Sequence, residues 1–537
     1  MQPAPSTAPQ VPPQTASGRR PRVARHLLVL LPLLLLLITG LRGIDFGKHW
    51  DERVQVDVLH TAIDSQTLLP KWYRYPSVIF WMTFGALAPE IAAEIPRDAA
   101  QMKATQARLN STVESPEFRL RMRTVFLSVT CLTILWTYLL ALTCFGSALG
   151  AFLAASCIGL SWEVAYHARW IAPDGVLMQF STLTLLLLAL AVTRRDSRWL
   201  VGAALAAGFS CGTKYTGGIL LLPLLIAAAQ VWKQRSMHAR AVRAAGLLGV
   251  FVLAFVLTTP GAVLQPFIFL RHVGFEIDHY RTGHYGATID SGLPHLAAMM
   301  RYLFVHLFSQ QVALALLVSI SAAIGLMHCV RRAPRTALLL ASFPIAYLLY
   351  MSTQRVLFVR NLLFVAPVIA VFAAHGATGL WSSLGGSRRS AGARAQLAAA
   401  GMLGLALWAV NGSFLIMASE SIRARDPDAD VRAFSAWADA RPDQRLFLST
   451  RVAESLERLD LAAPANATRV DGPDVDAAAF FPAETISSSL RANRPGTALA
   501  IFGAMDVNFE FYPVWKEPKL LVYPAAAARD AGILGDG

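Results

Sequence analysis

The chain has 537 residues, of which 55% are hydrophobic and only 15% charged, and its mean hydropathy is +0.46. A soluble domain carries roughly 25% charged residues, so too few polar side chains remain here to cover a water-exposed surface, which excludes a soluble enzyme, a disordered chain and a disulfide scaffold. The net charge of +14 suits either a nucleic-acid partner or a membrane protein with basic cytoplasmic loops, and the positions of the charges decide between them.

The N-terminal segment is polar and basic. Residues 1–25 are rich in Pro, Ser, Ala and Gln and end in an arginine cluster. Because such a composition cannot bury a core, we predict a disordered cytoplasmic tail. The apolar run 27–41 follows, and the long polar leader without a clear small-x-small cleavage site favours an uncleaved first span over a signal peptide.

Apolar segments recur along most of the chain and predict an all-α polytopic transmembrane domain over residues 26–420. About eleven spans are expected, several of them short for the ~20 residues that a bilayer requires. The predicted spans are 27–41, 122–143, 146–161, 175–193, 198–212, 216–232, 244–264, 298–327, 336–352, 358–380 and 396–418.

The distribution of Lys and Arg predicts the orientation. With the N-terminus inside, four inside loops are rich in Lys and Arg and nearly free of acids, as the positive-inside rule requires. These loops are 193–199, 232–243, 328–335 and 386–396. Much of the positive charge therefore reflects topology, and no nucleic-acid partner is predicted.

The opposite face, which we call the predicted outer face, receives a long first loop, 42–121, and everything after about residue 420. Within the loop, the apolar stretch 75–88 is short and suits an interfacial or re-entrant helix. Residues 421–537 have the composition of a small α/β extracytoplasmic domain, with predicted strands at 445–450 and 497–503. Its first helix is predicted to be amphipathic, with Val431, Phe434 and Trp437 on one side.

Three acids on the predicted outer face are candidates for catalysis. Asp51 and Glu52 follow the first span, and Asp174 stands just before the fourth span, after Pro173. Each acid alone could be explained by solvation or by a helix start that favours a carboxylate. A carboxylate can also deprotonate a hydroxyl group.

Cations occur on the same face, where the positive-inside rule does not predict them. Charges beside apolar segments are costly and usually mark a substrate path, and Lys or Arg can hold a phosphate leaving group. The candidates are Lys71, Arg74 and the adjacent Tyr75, Lys214, Arg271, Arg281, Arg355 and Arg360. Interfacial snorkelling is the alternative, and it suits Arg271 and Arg281 better than Lys214.

Five patches in this order resemble the GT-C glycosyltransferases that use polyprenyl-phosphate sugars, in particular the protein O-mannosyltransferases and the lipid A aminoarabinose transferases. The patches are HWDE, KWYRYPSVIFW, RWIAPD, GFSCGTKYTGGILLLPLL and FVRNLLFVAPVIAVFAAHG, with DADVRAFSAWADARPDQRLFLS resembling the start of the C-terminal domain of bacterial members. The resemblance covers about residues 27–450. The Ala- and Arg-rich composition and the small C-terminal domain are typical of bacterial proteins, so we predict a bacterial plasma-membrane protein.

The resemblance also implies roles for individual residues. Asp51 would be the base that deprotonates the acceptor, Glu52 would orient the acceptor or the base, and Asp174 would position the acceptor or the sugar. Lys214 and Arg360 would lie near the lipid phosphate, with Arg355 a weaker match. The implied reaction is direct displacement with inversion, from a polyprenyl-phosphate sugar to a glycan, lipid or protein of the cell envelope.

Two other classes remain open from the sequence. A transporter or flippase for lipid-linked sugars would also have intramembrane charges and broken helices, and an oligosaccharide polymerase or ligase would also have basic outer loops. No cofactor or metal is predicted, although a divalent cation at an Asp-Glu pair is chemically feasible.

Overall fold

The computed structural model describes residues 26–46, 49, 51–93, 96, 98–284, 287–379, 389–424, 428–480, 499–502, 520–530 and 533–534. The predicted tail, 1–25, lies outside the described residues. From Leu27 to Ala424 the described chain is almost entirely helical.

The helices of the first half, up to Thr258, are α1 Leu30–Arg42, α2 Glu52–Asp64, α3 Val78–Ala86, α4 Ala88–Ala93, α5 Ala99–Glu114, α6 Pro116–Phe145, α7 Ala148–Gly159, α8 Trp162–Ala168, α9 Pro173–Arg194, α10 Arg198–Thr213, α11 Leu221–Val231 and α12 Met237–Thr258. Those of the second half are α13 Gly261–Leu264, α14 Pro266–Thr282, α15 Leu293–Arg301, α16 Val312–Arg332, α17 Pro334–Ser352, α18 Ala366–Gly379, α19 Arg389–Ala406 and α20 Ser413–Ala424. Short 3₁₀ segments at Leu27–Val29, Tyr215–Leu220 and Val359–Val365 and π-helical turns at Tyr302–His306 and Leu407–Gly412 join some of them.

Seven helices in the described part of the chain are long and apolar enough to cross a membrane, or eight if the bent pair α7 and α8 is one span. They are Pro116–Phe145, Pro173–Arg194, Met237–Thr258, Val312–Arg332, Pro334–Ser352, Val359–Gly379 and Ala398–Ala424. The chain is therefore a multi-pass membrane protein. Two shorter apolar helical stretches, Leu27–Arg42 and Tyr215–Val231, coincide with predicted spans, and the total of about eleven stays a prediction.

The predicted span 298–327 is not one continuous helix. The run 298–327 is divided between α15 with its π-helical turn and α16. The break falls at the polar residues Ser309–Gln311, where the Ser309 hydroxyl accepts the backbone N–H of Gln311 at 3.1 Å. Hydropathy averaged over the run does not detect a break of this length, because both flanks are apolar.

The centre of the bundle is formed by α9 and by the span that contains α18. In each of these spans, 72% of the apolar 18-residue stretch is buried inside the protein, whereas the buried share for α12 is 17%. Close approach explains part of this burial: a Cβ at Gly175 of α9 would lie 2.3 Å from Thr130 Oγ1 of α6. On the other side, a Cβ at Gly325 or Gly376 would lie 1.9 Å from the backbone of the facing helix, so α16 and α18 cross in contact.

The long first loop is folded rather than extended. Its helices α2, α3 and α5 pack with the start of α6 around a separate apolar cluster that includes Leu59, Phe80, Leu109 and Phe118. The stretch predicted as an interfacial or re-entrant helix forms α3, a nine-residue helix with Val78, Ile79 and Phe80 buried. This packing fixes the chain on both sides of Asp51 and Tyr75.

After α20 the chain forms a five-stranded sheet with two main helices. The strands are β1 Leu446–Leu448, β2 Ala467–Thr468, β3 Ala477–Phe480, β4 Ala500–Phe502 and β5 Leu520–Pro524, and the helices are α21 Ala429–Asp439, α22 Thr450–Arg458 and the short α23 Ala525–Asp530. The sheet order is β2-β1-β3-β5-β4, parallel from β2 to β3 and antiparallel at β5. The two predicted strands and the amphipathic helix are confirmed, with Val431 and Phe434 buried against the sheet and Trp437 partly buried.

Candidate active site

Four charged residues that are distant in sequence meet at one end of the helical bundle, on the predicted outer face. Asp174 lies in the first turn of α9 after Pro173, where the ring pre-sets the helical φ and the helix dipole favours an acid. Lys214 follows the last residue of α10 in an extended conformation, φ −152° and ψ 136°. Arg360 lies in the 3₁₀ segment before α18, and Asp51 immediately precedes α2.

These four residues, which we call the charge cluster, alternate in sign. Arg360 Nη1 lies 2.7 Å from Asp51 Oδ2, and Arg360 Nε lies 3.6 Å from Asp174 Oδ2. Lys214 Nζ donates to Asp174 Oδ1 at 2.8 Å. Two acids and two cations are thus mutually neutralised in a place where isolated charges would be costly.

Burial differs across the cluster. The side chains of Asp174, Lys214 and Arg360 are 1%, 8% and 9% exposed, whereas that of Asp51 is 19% exposed. Burial raises the pKa of the Asp51 carboxyl above its ordinary value, and the neighbouring Arg360 opposes this effect without cancelling it. Asp51 is therefore the accessible acid of the cluster and a stronger base than a solvated aspartate.

Asn361, which the sequence did not single out, ties the cluster to two tyrosines. Lys214 Nζ donates to Asn361 Oδ1 at 2.5 Å, and Asn361 Nδ2 donates to the Tyr280 hydroxyl at 3.0 Å. The Tyr347 hydroxyl donates to the Asn361 carbonyl at 2.8 Å. The signal that could have found Asn361 is its position next to Arg360 in a segment that otherwise is apolar.

Aromatic rings border the two cations. The Arg360 guanidinium lies 4.6 Å from the centroid of the Phe358 ring and 5.2 Å from that of Trp170. Lys214 Nζ lies 5.9 Å from the centroid of the Tyr75 ring, so the predicted Tyr75 lies at the site. Cation–π contacts of this kind hold a cation in place without satisfying its N–H donors.

Glu52 lies next to Asp51 in sequence but has a different partner. Its Oε1 and Oε2 accept from Nε and Nη2 of Arg123 at 2.8 and 2.6 Å, and Oε1 also accepts the backbone N–H of Ile171 at 3.2 Å. Arg123 Nη1 donates to the carbonyl of Ile44 at 2.9 Å. The pair therefore ties the segment before Asp51, helix α6 and the loop before Asp174 together.

Arg123→Met is expected to destabilise the protein strongly, because the side chains of Arg123 and Glu52 are 0% and 5% exposed and the substitution leaves Glu52 buried without its partner. Loss of one member of a buried pair costs about 3–5 kcal/mol. The midpoint of thermal unfolding in detergent measures the effect. Arg121→Met is the matched control, since Arg121 pairs with Glu90 near the surface, where a pair contributes about 0–1 kcal/mol. Equal shifts for the two variants would contradict the structural role of the buried pair.

The other predicted cations lie outside the charge cluster. Arg355 is half exposed and lies 3.8 Å from Asp290, and Lys71, Arg271 and Arg281 are exposed. Arg74 is half-buried, with its guanidinium 3.6 Å from the centroid of the Phe275 ring. The structure thus brings together Asp51, Asp174, Lys214, Arg360 and Tyr75 from the predicted set.

Among the described residues, no group of three or more His, Cys, Asp or Glu side chains is placed to hold a metal ion. The adjacent acids Asp51 and Glu52 engage two different arginines, so their carboxylates do not converge on one point. That the protein needs no divalent cation stays a prediction.

A family model matches the part of the chain that carries two residues of the charge cluster. Residues 111–260, which carry Asp174 and Lys214, match the family model described as dolichyl-phosphate-mannose-protein mannosyltransferase. The match confirms the resemblance to the GT-C superfamily of membrane glycosyltransferases that was predicted from the sequence. No curated protein sequence matches the chain.

Two solved structures are similar to the chain over most of its length. ArnT from Cupriavidus metallidurans, bound to undecaprenyl phosphate, has 13% identity and a TM-score of 0.49, with 92% of this chain and 97% of that chain covered. The archaeal oligosaccharyltransferase AglB from Archaeoglobus fulgidus, in complex with an inhibitory peptide and a dolichol-phosphate, has 13% identity and a TM-score of 0.46, with 85% and 70% covered.

Proposed function

We propose that the protein is a glycosyltransferase that moves a sugar from a polyprenyl-phosphate donor to a hydroxyl group of a cell-envelope glycan, lipid or protein. The observation that supports this most directly is the charge cluster, which places a partly exposed carboxylate and two buried cations within one hydrogen-bonded group. The family match over residues 111–260 supports the same class of reaction.

Lys214 and Arg360 are the proposed ligands of the donor phosphate. A guanidinium can donate two parallel hydrogen bonds to a phosphate, and an ammonium adds a point charge. In the structure both cations are held by Asp51 and Asp174. A phosphate that binds to Arg360 competes with Asp51 for the same N–H donors, so donor binding releases the Asp51 carboxylate.

Asp51 is the proposed general base. Its released carboxylate takes the proton of the acceptor hydroxyl while the acceptor oxygen attacks the anomeric carbon opposite the phosphate. The bond between the anomeric carbon and the phosphate oxygen breaks, and its electron pair leaves with the polyprenyl phosphate. One displacement of this kind inverts the anomeric carbon, and Lys214 and Arg360 stabilise the charge that develops on the phosphate.

Asp174 is proposed to position the cations. It contacts both Lys214 and Arg360 and is 1% exposed, so it holds the two phosphate ligands at a fixed separation. This role differs from the positioning of acceptor or sugar that the resemblance implies.

The pH profile of transfer follows from the state of Asp51. A base must be ionised, so activity falls as the pH drops through its pKa, and the raised pKa of Asp51 moves this acidic limb above the ordinary value of 3.8. Donor binding draws Arg360 away and raises the pKa further. We expect kcat/KM to decline on the acidic side at a pH above 3.8, with the limb displaced in Asp51→Glu. A flat profile down to that pH would contradict the assignment.

The proposed location is a bacterial plasma membrane, with a cytoplasmic N-terminus and with the active site and the C-terminal α/β region on the extracytoplasmic face. The basic inside loops support this orientation. The sheet and helices from Ala429 onward then lie on the same side as the charge cluster.

A transfer assay in proteoliposomes tests the function against the two other classes. In parallel reactions, purified protein is given either polyprenyl phosphate that carries a radiolabelled sugar or polyprenyl diphosphate that carries a radiolabelled oligosaccharide, each with a membrane extract as the source of acceptor. Transfer of single sugars to an acceptor is the expected result. Movement of the labelled lipid across the bilayer without transfer would indicate a flippase, and transfer only from diphosphate-linked oligosaccharides would indicate a polymerase or ligase.

A further inference from the structure

Helix α14 covers the charge cluster with one face. At one end of this face, His272 Nδ1 accepts the backbone N–H of Tyr73 at 3.0 Å. At the other end, the Tyr280 hydroxyl accepts from Asn361 Nδ2, the amide that also binds Lys214. Residues four apart share a helix face, so Glu276, which lies midway between His272 and Tyr280, is on the face that is turned to the cluster.

The outward side of α14 is exposed and mixed in character, because the charged residues Arg271, Asp278 and Arg281 lie there beside apolar ones. Phe267, Leu270 and Ile277 are 88%, 62% and 54% exposed, which suits contact with lipid at the membrane surface. The two faces together fix the rotation of the helix about its axis. Glu276 accordingly is only partly exposed, although it lies on a helix with no fully buried residue.

The surroundings of Glu276 are cationic. Burial raises the pKa of its carboxyl, and the charges of Lys214, Arg74 and Arg360 act on it in the opposite direction. Its charge also acts on the side chain of Tyr215, the residue that follows Lys214. Asp51, Asp174 and Glu52 each have an Arg or Lys partner within 4.0 Å, whereas no such ion pair or hydrogen bond is formed by Glu276 among the described residues.

We infer that Glu276 is a sugar-binding residue, whose carboxylate accepts hydrogen bonds from hydroxyl groups of the donor sugar. This inference rests on the proposed function, since the sugar is placed by the phosphate to which it is bonded. A phosphate held by Lys214 and Arg360 carries its sugar one bond away, within the volume that α14 covers. A carboxylate there repels a second anion but accepts readily from neutral hydroxyls, which have both donors and acceptors.

The inference predicts an effect on sugar recognition rather than on phosphate binding. Equilibrium binding to the purified full-length protein is measured with sugar-free polyprenyl phosphate and with polyprenyl phosphates that carry mannose, glucose or galactose. For the sugar that the wild type prefers, Glu276→Gln is expected to lower the ratio of sugar-bearing to sugar-free affinity by about 10- to 100-fold, the range for a hydrogen bond to a charged group. Discrimination among the three sugars is expected to fall with it.

Asp278→Asn is the matched control, because Asp278 is an exposed acid on the same helix, and it should leave the ratio unchanged. An unchanged ratio in Glu276→Gln, with sugar-free lipid bound as in the wild type or more tightly, would overturn the sugar contact. Failure of the proposed function is distinguishable: in that case Lys214→Met binds the sugar-free lipid as well as the wild type does.

Discussion

Asp51→Asn is expected to lower kcat for sugar transfer by about 10²–10⁴-fold, the usual contribution of a general base. The amide is nearly isosteric with the carboxylate but cannot accept the acceptor proton. Because Arg360 and Lys214 remain, donor binding should be retained or strengthened, since Arg360 no longer has Asp51 as a competing partner. Steady-state transfer with a radiolabelled donor gives kcat, and equilibrium binding gives donor affinity.

Asp57→Asn is the matched control for this substitution. Asp57 lies on α2 near Asp51, but its side chain is 56% exposed and pairs with Arg53 at the surface. Its neutralisation should therefore leave both kcat and donor affinity within about twofold of the wild type, as for other exposed pairs. Undiminished transfer by Asp51→Asn would remove Asp51 from the role of base. Loss of donor binding instead of kcat would reassign it to the binding of the phosphate.

The effects of Lys214 and Asp174 substitutions on the free energy of unfolding are expected to be coupled, and a comparison of single and double variants measures the coupling. Lys214→Met leaves Asp174 buried with only the weaker 3.6 Å contact to Arg360, and Asp174→Asn leaves the Lys214 ammonium without its carboxylate. Each change is expected to destabilise the protein by about 3–5 kcal/mol. The double variant Asp174→Asn/Lys214→Met removes both charges and should recover much of the loss, as measured by thermal unfolding in detergent.

Activity should not recover with stability. Because the double variant lacks the ammonium that holds the phosphate, we expect its donor affinity to stay at least about 10-fold below that of the wild type, the scale of one charge-assisted hydrogen bond. Arg445→Met, which breaks an exposed pair with Asp474, controls for general effects of charge removal. A stable double variant with wild-type donor affinity would contradict the phosphate-binding role of Lys214.

Much of the charge cluster could be predicted from the sequence, because charge is scarce in this chain and its few polar residues on the predicted outer face therefore stand out. The sequence singles out all four of its members, which are Asp51, Asp174, Lys214 and Arg360. Their pairing could not be predicted, since Lys214 and its partner Asn361 lie 147 residues apart and meet only through the packing of the central helices.

Arg123 and Glu276 illustrate why the rest was missed. Arg123 is one of three arginines at alternate positions in the first turns of α6. Successive helix positions point in different directions, so only the packed structure shows that Arg123 is buried against Glu52 while Arg121 is near the surface. In α14 the sequence drew attention to Arg271 and Arg281, which are exposed, and not to Glu276 on the covered face.

The fold was predictable in class and less so in detail. Apolar runs gave a helical membrane protein, and local amphipathicity gave the first helix and two strands of the C-terminal sheet. The break between α15 and α16 and the 3₁₀ segment that carries Arg360 were not predicted. Both depend on polar contacts with distant residues, which leave no periodic signal in an apolar run. Asn411 Nδ2 donates to the Phe308 carbonyl at the break, and Lys214 Nζ donates to Asn361 Oδ1 in the 3₁₀ segment.

The most direct test is an experimental structure of the protein with bound polyprenyl phosphate. The account predicts that phosphate oxygens lie within about 2.7–3.0 Å of Lys214 Nζ and of the Arg360 guanidinium, the distance of charge-assisted hydrogen bonds. It also predicts that the 2.7 Å contact between Asp51 and Arg360 is broken when the lipid is bound. A phosphate bound elsewhere, with that contact intact, would contradict the assignment of this cluster as the active site.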